Sequence, residues 1–242
     1  MKLASLLRSL LVLTLAPLLT LAVSIITLLW TVLFRRPADD AQLLGRYWGK
    51  SICALSGVAV KIEGLENLTP DKTYIFAANH QSQFDILTLQ GYLKFNFRWL
   101  AKKELFQVPI WGTAMKKAGY IPIDRSRGRQ ALKSLDEAAK RIADGTSVII
   151  FPEGTRSRDG KLQPFKAGGM VLAIKAGVDL VPVAISGTHE VLAKGRLMLH
   201  PGNVLIRIGK PVPTTDYRTN QKHELARRLQ QEVAGLLGRS GR

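Results

Sequence analysis

Between Arg8 and Arg35 the chain runs for 26 residues, Ser9 to Phe34, without a charged side chain. About 20 apolar residues cross the hydrocarbon layer of a bilayer as one helix, so this segment is long enough to do so. Pro17 and the scattered Thr14, Thr20, Ser24 and Thr27 interrupt a plain spanning helix, and a kinked or re-entrant insertion fits the same residues. The run is too long for the apolar region of a cleaved signal peptide. Lys2 and Arg8 precede it and Arg35 and Arg36 come after it, which leaves basic residues on both sides and the orientation nearly balanced. Beyond it, Arg46, Tyr47, Trp48 and Lys50 form an amphipathic continuation of the kind that suits a headgroup layer. Residues 1–56 are therefore expected to form a hydrophobic, helical membrane anchor, and residues 57–242 one catalytic domain.

A chain of 242 residues can bury one full core and is short for two. Its 35 Lys and Arg against 18 Asp and Glu give a formal charge of +17, far above what solubility requires. Nucleic acid, an anionic membrane surface, an acidic carrier or a phosphorylated substrate would each answer that charge. No nucleic-acid motif or interleaved aromatic surface accompanies it, so no nucleic-acid partner is expected. The single cysteine, Cys53, excludes an intramolecular disulfide framework and any cysteine-based zinc site. His80, His189, His200 and His223 show no ligand-like spacing, and no metal is expected.

From residue 57 onward, short apolar runs alternate with helical ones. The runs are Val58 to Ile62, Thr73 to Ala78, Arg98 to Ala101, Ile121 to Ile123, Ser147 to Phe151, Leu180 to Ile185 and Val204 to Ile208. Leu132, Leu135, Ala138, Ala139 and Ile142 lie on one helical stripe that Gly145 closes, and Leu225, Leu229, Val233 and Leu236 form another. This alternation predicts an α/β fold, a single domain with a mixed sheet covered by helices.

Two segments carry chemistry. In Asn79-His80-Gln81-Ser82-Gln83-Phe84-Asp85, five residues of ideal helix would rotate His80 and Asp85 about 140° apart. They can meet if His80 lies in the turn after a strand, with Ser82 as N-cap and Asp85 the third helical residue. A carboxylate so placed fixes the tautomer of the ring while its other nitrogen accepts a proton from an attacking hydroxyl. Taken alone, Ser82 and Asp85 also read as a capping box beside a polar turn. The second segment is Phe151-Pro152-Glu153-Gly154-Thr155-Arg156-Ser157-Arg158. Amides beside Gly154, the Thr155 hydroxyl and the forked guanidinium of Arg156 are what a phosphate monoester needs. Taken alone it is also a basic β-turn. Glu153 is expected to position the arginines, since a free carboxylate would repel the phosphate. Lys161, Lys166 and Gly168-Gly169 extend the basic neighbourhood.

Gly119-Tyr120-Ile121-Pro122-Ile123-Asp124-Arg125 and Val181-Pro182-Val183-Ala184-Ile185-Ser186-Gly187 complete a set of four segments. In this order they resemble the four motif blocks of the glycerolipid acyltransferase family, over roughly residues 60 to 190. The resemblance implies that His80 is the catalytic base and Asp85 its partner. It implies that Glu153, Gly154, Thr155 and Arg156 bind the acceptor phosphate, with Arg125 a further acceptor-binding residue. Lys102 and Lys103, in Ala-Lys-Lys-Glu-Leu, resemble family positions that contact the acceptor phosphate or border the acyl tunnel.

The activity so implied is transfer of a fatty acyl group to the sn-2 hydroxyl of lysophosphatidic acid, giving phosphatidic acid. The donor would be acyl-CoA or acyl carrier protein, no cofactor would be needed, and no acyl-enzyme would form. The location would be a membrane, the bacterial inner membrane with the site at its cytoplasmic face. Glycerol 3-phosphate or another lysolipid is the nearest alternative acceptor. A thioesterase would turn the same His-Asp pair on water, with no use for the residues around Arg156. A non-catalytic lipid-binding or tethering protein would keep only the anchor and the basic surface.

Overall fold

The computed structural model describes residues 2–124 and 128–238. Seven strands form one sheet: β1 (Val58–Glu63), β2 (Tyr74–Ala78), β3 (Arg98–Lys102), β4 (Ile121–Ile123), β5 (Val148–Ile150), β6 (Asp179–Ser186) and β7 (Gly202–Ile208). Each overlaps one of the apolar runs in the sequence. Their order is β1-β7-β6-β2-β5-β3-β4. Among the pairings of the seven described strands, β6/β7 alone is antiparallel, so the sheet is mixed, as expected.

The central strand β2 shows why its sequence is apolar throughout. Tyr74, Phe76 and Ala78 face one layer of core, with Val181, Val183, Ile149 and Ile206. Ile75 and Ala77 face the other, with Val148, Ile150, Leu180 and Ala184. A strand covered on both sides has no polar face to alternate with. Helices α1 (Lys2–Leu28), α2 (Ala38–Leu55) and α3 (Phe84–Tyr92) lie on the first side, and α4 (Trp111–Lys117) packs against α1. Helices α5 (Arg129–Ala143), α6 (Gly168–Ala176) and α8 (Lys222–Gly238) cover the second, and the four-residue α7 (Thr188–Val191) comes directly after β6.

The charge-free segment is helical through Pro17, ends in a π-helical turn (Leu29–Leu33) and reverses into α2. Its length and composition suffice to cross a membrane. Its polarity is inverted relative to a water-soluble helix. The hydroxyl residues Ser9, Ser24 and Thr27 are buried, as is Val12, while Leu3, Leu7, Leu10, Leu18, Leu21 and Ile25 are exposed. Inward hydroxyls find partners there. Ser9 Oγ accepts the Leu199 N–H (2.7 Å), Thr20 Oγ1 accepts the Trp48 indole N–H (3.0 Å), and Ser24 donates to the Thr20 carbonyl (2.7 Å).

Helix α2 meets α3 almost backbone to backbone. A Cβ on Gly49 would lie 2.6 Å from the Leu87 carbonyl oxygen, and one on Gly91 would lie 2.9 Å from the Lys50 nitrogen. Only glycine permits that approach, and it ties the N-terminal hairpin to the helix that carries Asp85.

Candidate active site

Strands β2, β5 and β6 are parallel neighbours whose ends lie side by side, with Ala78 opposite Val183 and Ala77 opposite Ile150. The residues just past each strand therefore converge at one edge of the sheet: His80 after β2, Phe151 to Ser157 after β5, and Thr188 after β6. This is the edge at which open parallel sheets bind ligands. Asn79 fixes the exit of β2, because its side-chain amide both donates to the Ile185 carbonyl (2.9 Å) and accepts the Ile185 N–H (2.7 Å).

His80 Nδ1 lies 2.8 Å from Asp85 Oδ2. The same oxygen accepts the N–H groups of Gln81 (2.7 Å) and Ser82 (2.8 Å), and Oδ1 accepts the Thr188 hydroxyl (2.5 Å). Two backbone N–H donors, the Thr188 hydroxyl and the imidazole converge on this fully buried carboxyl, surroundings that suit the acceptor-only carboxylate. With Nδ1 donating to it, the acceptor nitrogen of the neutral ring is Nε2, free of protein partners among the described residues. Phe151 stacks on the imidazole, centroids 3.9 Å apart and planes 13° from parallel, and so fixes the plane of the ring.

The helix boundary differs from the expected one. Phe84 is the first residue of α3 and Asp85 the second. Ser82 still does what an N-cap does, accepting the Phe84 N–H on its hydroxyl (3.2 Å), because the first turn is tightened by an Asp85 N–H to Ser82 carbonyl bond (3.4 Å). The carboxylate therefore points back to the turn from one residue nearer the helix start.

The loop after β5 is bonded directly to His80. The Ser157 N–H donates to the His80 carbonyl (2.8 Å), and the His80 N–H donates to Glu153 Oε1 (2.5 Å). The other oxygen, Oε2, accepts the Gln163 N–H (3.0 Å). Glu153 thus holds backbone amides; among the described residues no ion pair joins it to Arg156 or Arg158. Burial pushes its carboxyl up to about 7 against the pull of those two N–H donors, and nearby Asp85 adds to the rise.

Thr155 is exposed at the loop tip and Arg156 is half-buried, its guanidinium unpaired among the described residues. Gly154 has φ 75°, and a Cβ there would lie 2.8 Å from the Lys166 ammonium, so glycine allows that cation to close over the loop. Lys194, on the segment after α7, reaches Thr155 Oγ1 (3.1 Å) and the Arg156 carbonyl (2.9 Å). Sequence reasoning missed Lys194, Thr188 and Phe151 as site residues. The signal for Phe151 was at hand, since it opens the segment that contains Glu153; Lys194 and Thr188 come from after β6, where only strand order reveals proximity.

Other expected positions fall differently. Lys103 comes just after β3 at the same sheet edge, but its ammonium is taken by Asp124 Oδ2 (2.6 Å), a hydrogen bond that raises its affinity for its proton. Arg125 lies outside the described residues. Gly168 and Gly169 open α6, where a Cβ on Gly169 would lie 2.6 Å from Ile150 Cδ1, so the latter glycine serves close helix–sheet packing. The Cys53 thiol is pushed up to about 12 by burial, which leaves it no thiolate with which to act at neutral pH.

A histidine whose Nδ1 meets a buried carboxyl, hydrogen-bonded through the backbone to a cationic loop, is an arrangement chemically able to abstract a proton beside an anion. The acyltransferase family model matches residues 59–186, more than half of the chain and nearly all of the segments described above. The chain belongs to the acyltransferase family. A chloroplast 1-acyl-sn-glycerol-3-phosphate acyltransferase of Arabidopsis thaliana is 38% identical over 173 residues, 71% of this chain and 48% of that protein. The 1-acyl-sn-glycerol-3-phosphate acyltransferase of Chlamydomonas reinhardtii is 38% identical over 181 residues, 72% of this chain and 54% of that one. The chain thus spans about half the length of these relatives. The crystal structure of the 1-acyl-sn-glycerophosphate (LPA) acyltransferase PlsC from Thermotoga maritima superposes with TM-score 0.80 at 28% identity, covering 98% of this chain and 99% of that one.

Proposed function

We propose that this acyltransferase moves a fatty acyl group from a thioester, acyl-CoA or acyl carrier protein, to the sn-2 hydroxyl of lysophosphatidic acid, forming phosphatidic acid. The observation that carries the reading is the direct hydrogen bonding of the cationic loop to the base, Ser157 N–H to His80 carbonyl and His80 N–H to Glu153. It sets a phosphate-binding loop and a proton acceptor in fixed register, as an acceptor with its hydroxyl a short way from its phosphate demands. The acceptor named for the relatives agrees with that requirement.

In the mechanism, Arg156, Lys166 and Lys194 receive the phosphate, with Thr155 and the amides beside Gly154 as further donors. His80 Nε2 takes the proton of the acceptor hydroxyl as its oxygen bonds to the thioester carbon. Asp85 supports the imidazolium that results. The tetrahedral intermediate collapses, the carbon–sulfur bond breaks, and the proton passes from His80 to the departing thiolate. No covalent acyl-enzyme is required, and no cofactor takes part.

The outward leucines of α1 are the lipid-facing surface of this reading. A helix with hydroxyls inward and leucines outward gains nothing from water and is suited to hydrocarbon on its outer side. The basic surface concentrates both anionic acceptor and acidic donor.

Acyl transfer by detergent-solubilised protein, offered lysophosphatidic acid with either acyl-CoA or acyl carrier protein, tests the proposal. Acceptor-dependent phosphatidic acid supports it and identifies the donor. Free fatty acid released equally with and without acceptor makes the protein a thioesterase instead, and no turnover with any acceptor favours a tether.

A further inference from the structure

At the far end of α3 from Asp85, a cavity of about 240 Å³ opens between α2 and α3, lined by Arg46, Lys50, Lys94, Tyr47, Tyr92 and Leu43 among others. We propose that this cavity binds the phosphate group of an anionic membrane phospholipid, at a place separate from the catalytic centre. Seven helical steps from Asp85 to Tyr92, at about 1.5 Å each, put it roughly 10 Å along α3 from Asp85.

Three cations share the cavity, and among the described residues none has a carboxylate within ion-pair distance. Arg46 donates from Nη2 to the Phe95 carbonyl (3.0 Å), while its buried Nε has no partner. Lys50 lies over the Tyr92 ring, 5.7 Å from the centroid. Both amide atoms of Gln42, one turn before Arg46 and 5% exposed, are unpartnered as well, as is Nε2 of Gln90, 1% exposed. Buried polar atoms left without partners are costly; Gln42 and Gln90 lie outside the cavity lining, and Arg46 Nε is the unpartnered atom within it.

Lys94 comes two residues after the C-terminus of α3, an end that favours a cation, whereas Lys50 lies more than a turn inside α2. That accounts for neither the unpartnered Arg46 nitrogen nor the gathering of three like charges around one opening. An anion with several oxygens answers both, with the guanidinium donating and the ammoniums neutralising. A lipid is the source of that anion because Tyr47 and Leu43, 62% and 53% exposed, flank the opening with the amphipathic surface that a headgroup layer takes. The site would hold the hairpin at the membrane through a headgroup while His80 stays free for substrate.

This proposal rests on the membrane reading given above, and its test separates the two. Full-length protein is mixed with neutral phosphatidylcholine vesicles and with vesicles in which about one-fifth of the lipid is anionic phosphatidylglycerol, and bound protein is measured by flotation. The wild type is expected to bind both, and the anionic vesicles more tightly. Lys50→Gln/Lys94→Gln, at two exposed positions, is expected to lose about tenfold of the anionic enhancement and to keep its binding to neutral vesicles. Lys133→Gln/Lys140→Gln, on α5 over the opposite face of the sheet, is expected to lose less than about twofold. Equal losses in both double variants, or none in the first, overturn the site. Release by inorganic phosphate beyond that by chloride of matched ionic strength would assign the cavity to free phosphate and overturn the lipid assignment. A wild type that binds neither vesicle overturns the membrane reading and this proposal with it.

Discussion

The two halves of the candidate active site are built on opposite plans. On the base side, Asp85 is buried under four donors, His80 is stacked on Phe151, and Asn79 clamps the strand end beneath them. On the phosphate side, Thr155 stands exposed and Arg156 and Lys166 are cations whose charges no carboxylate answers among the described residues. Proton transfer tolerates little displacement, so that half is over-determined by hydrogen bonds. In the proposed function a headgroup enters and leaves, and cations left without carboxylate partners suit that role. Changes on the base side should therefore depress kcat, and changes on the phosphate side should raise KM for the acceptor.

Asp85→Asn is expected to give the largest effect, a fall in kcat of about 10³-fold with little change in acceptor KM. The asparagine amide brings its own donors to a position already filled by donors, so the imidazole loses the partner that sets its tautomer. A change confined to KM would erase the distinction between the halves. Arg156→Ala is expected to raise acceptor KM by about 10- to 100-fold, the worth of a charge-assisted hydrogen bond to a phosphate, with kcat lowered far less. Lys194→Ala should raise KM by a smaller factor, about three- to tenfold, because the ammonium also steadies the loop at Thr155. An unchanged KM with reduced kcat would move Lys194 to the base side.

Glu153 stands on the seam between the halves, and its expected signature is in stability. With its carboxyl raised from 4.5 to about 7 by burial, the folded protein retains a proton that the unfolded chain gives up between those values. Stability therefore falls as pH rises through that window and is unaffected below it. Between about pH 5 and about pH 8 the wild type should lose of order 1 kcal/mol of stability that Glu153→Gln does not lose. Melting temperatures recorded at the two pH values give this difference, and parallel changes in both proteins would contradict it.

Much of the fold was legible because its sheet is central. β2, β5 and β6 are covered on both faces, so they appear in the sequence as uninterrupted apolar runs, and α5 shows the ordinary amphipathic stripe. The apolar character of α1 was equally plain, but its inverted polarity was not: Thr20 and Ser24 read as interruptions of a spanning helix, whereas they pack on its inner side. His80 and Asp85 were legible as a pair because five residues separate them and local geometry settles whether they meet. Thr188 and Asp85 lie 103 residues apart, brought together by the order β6-β2-β5, which no local pattern carries. Glu153 was misjudged for a related reason. Its charge suggested an arginine partner, but the buried turn needed an acceptor for two backbone amides.

The division of the site stands most directly on His80→Ala, assayed for acyl transfer at saturating donor over a range of lysophosphatidic acid concentrations. If His80 is the base and the loop after β5 binds the phosphate independently, kcat falls by about 10²- to 10⁴-fold while acceptor KM stays within about twofold of wild type. Transfer at the wild-type rate by the folded variant would contradict the assignment of the base, and with it the account of the whole site.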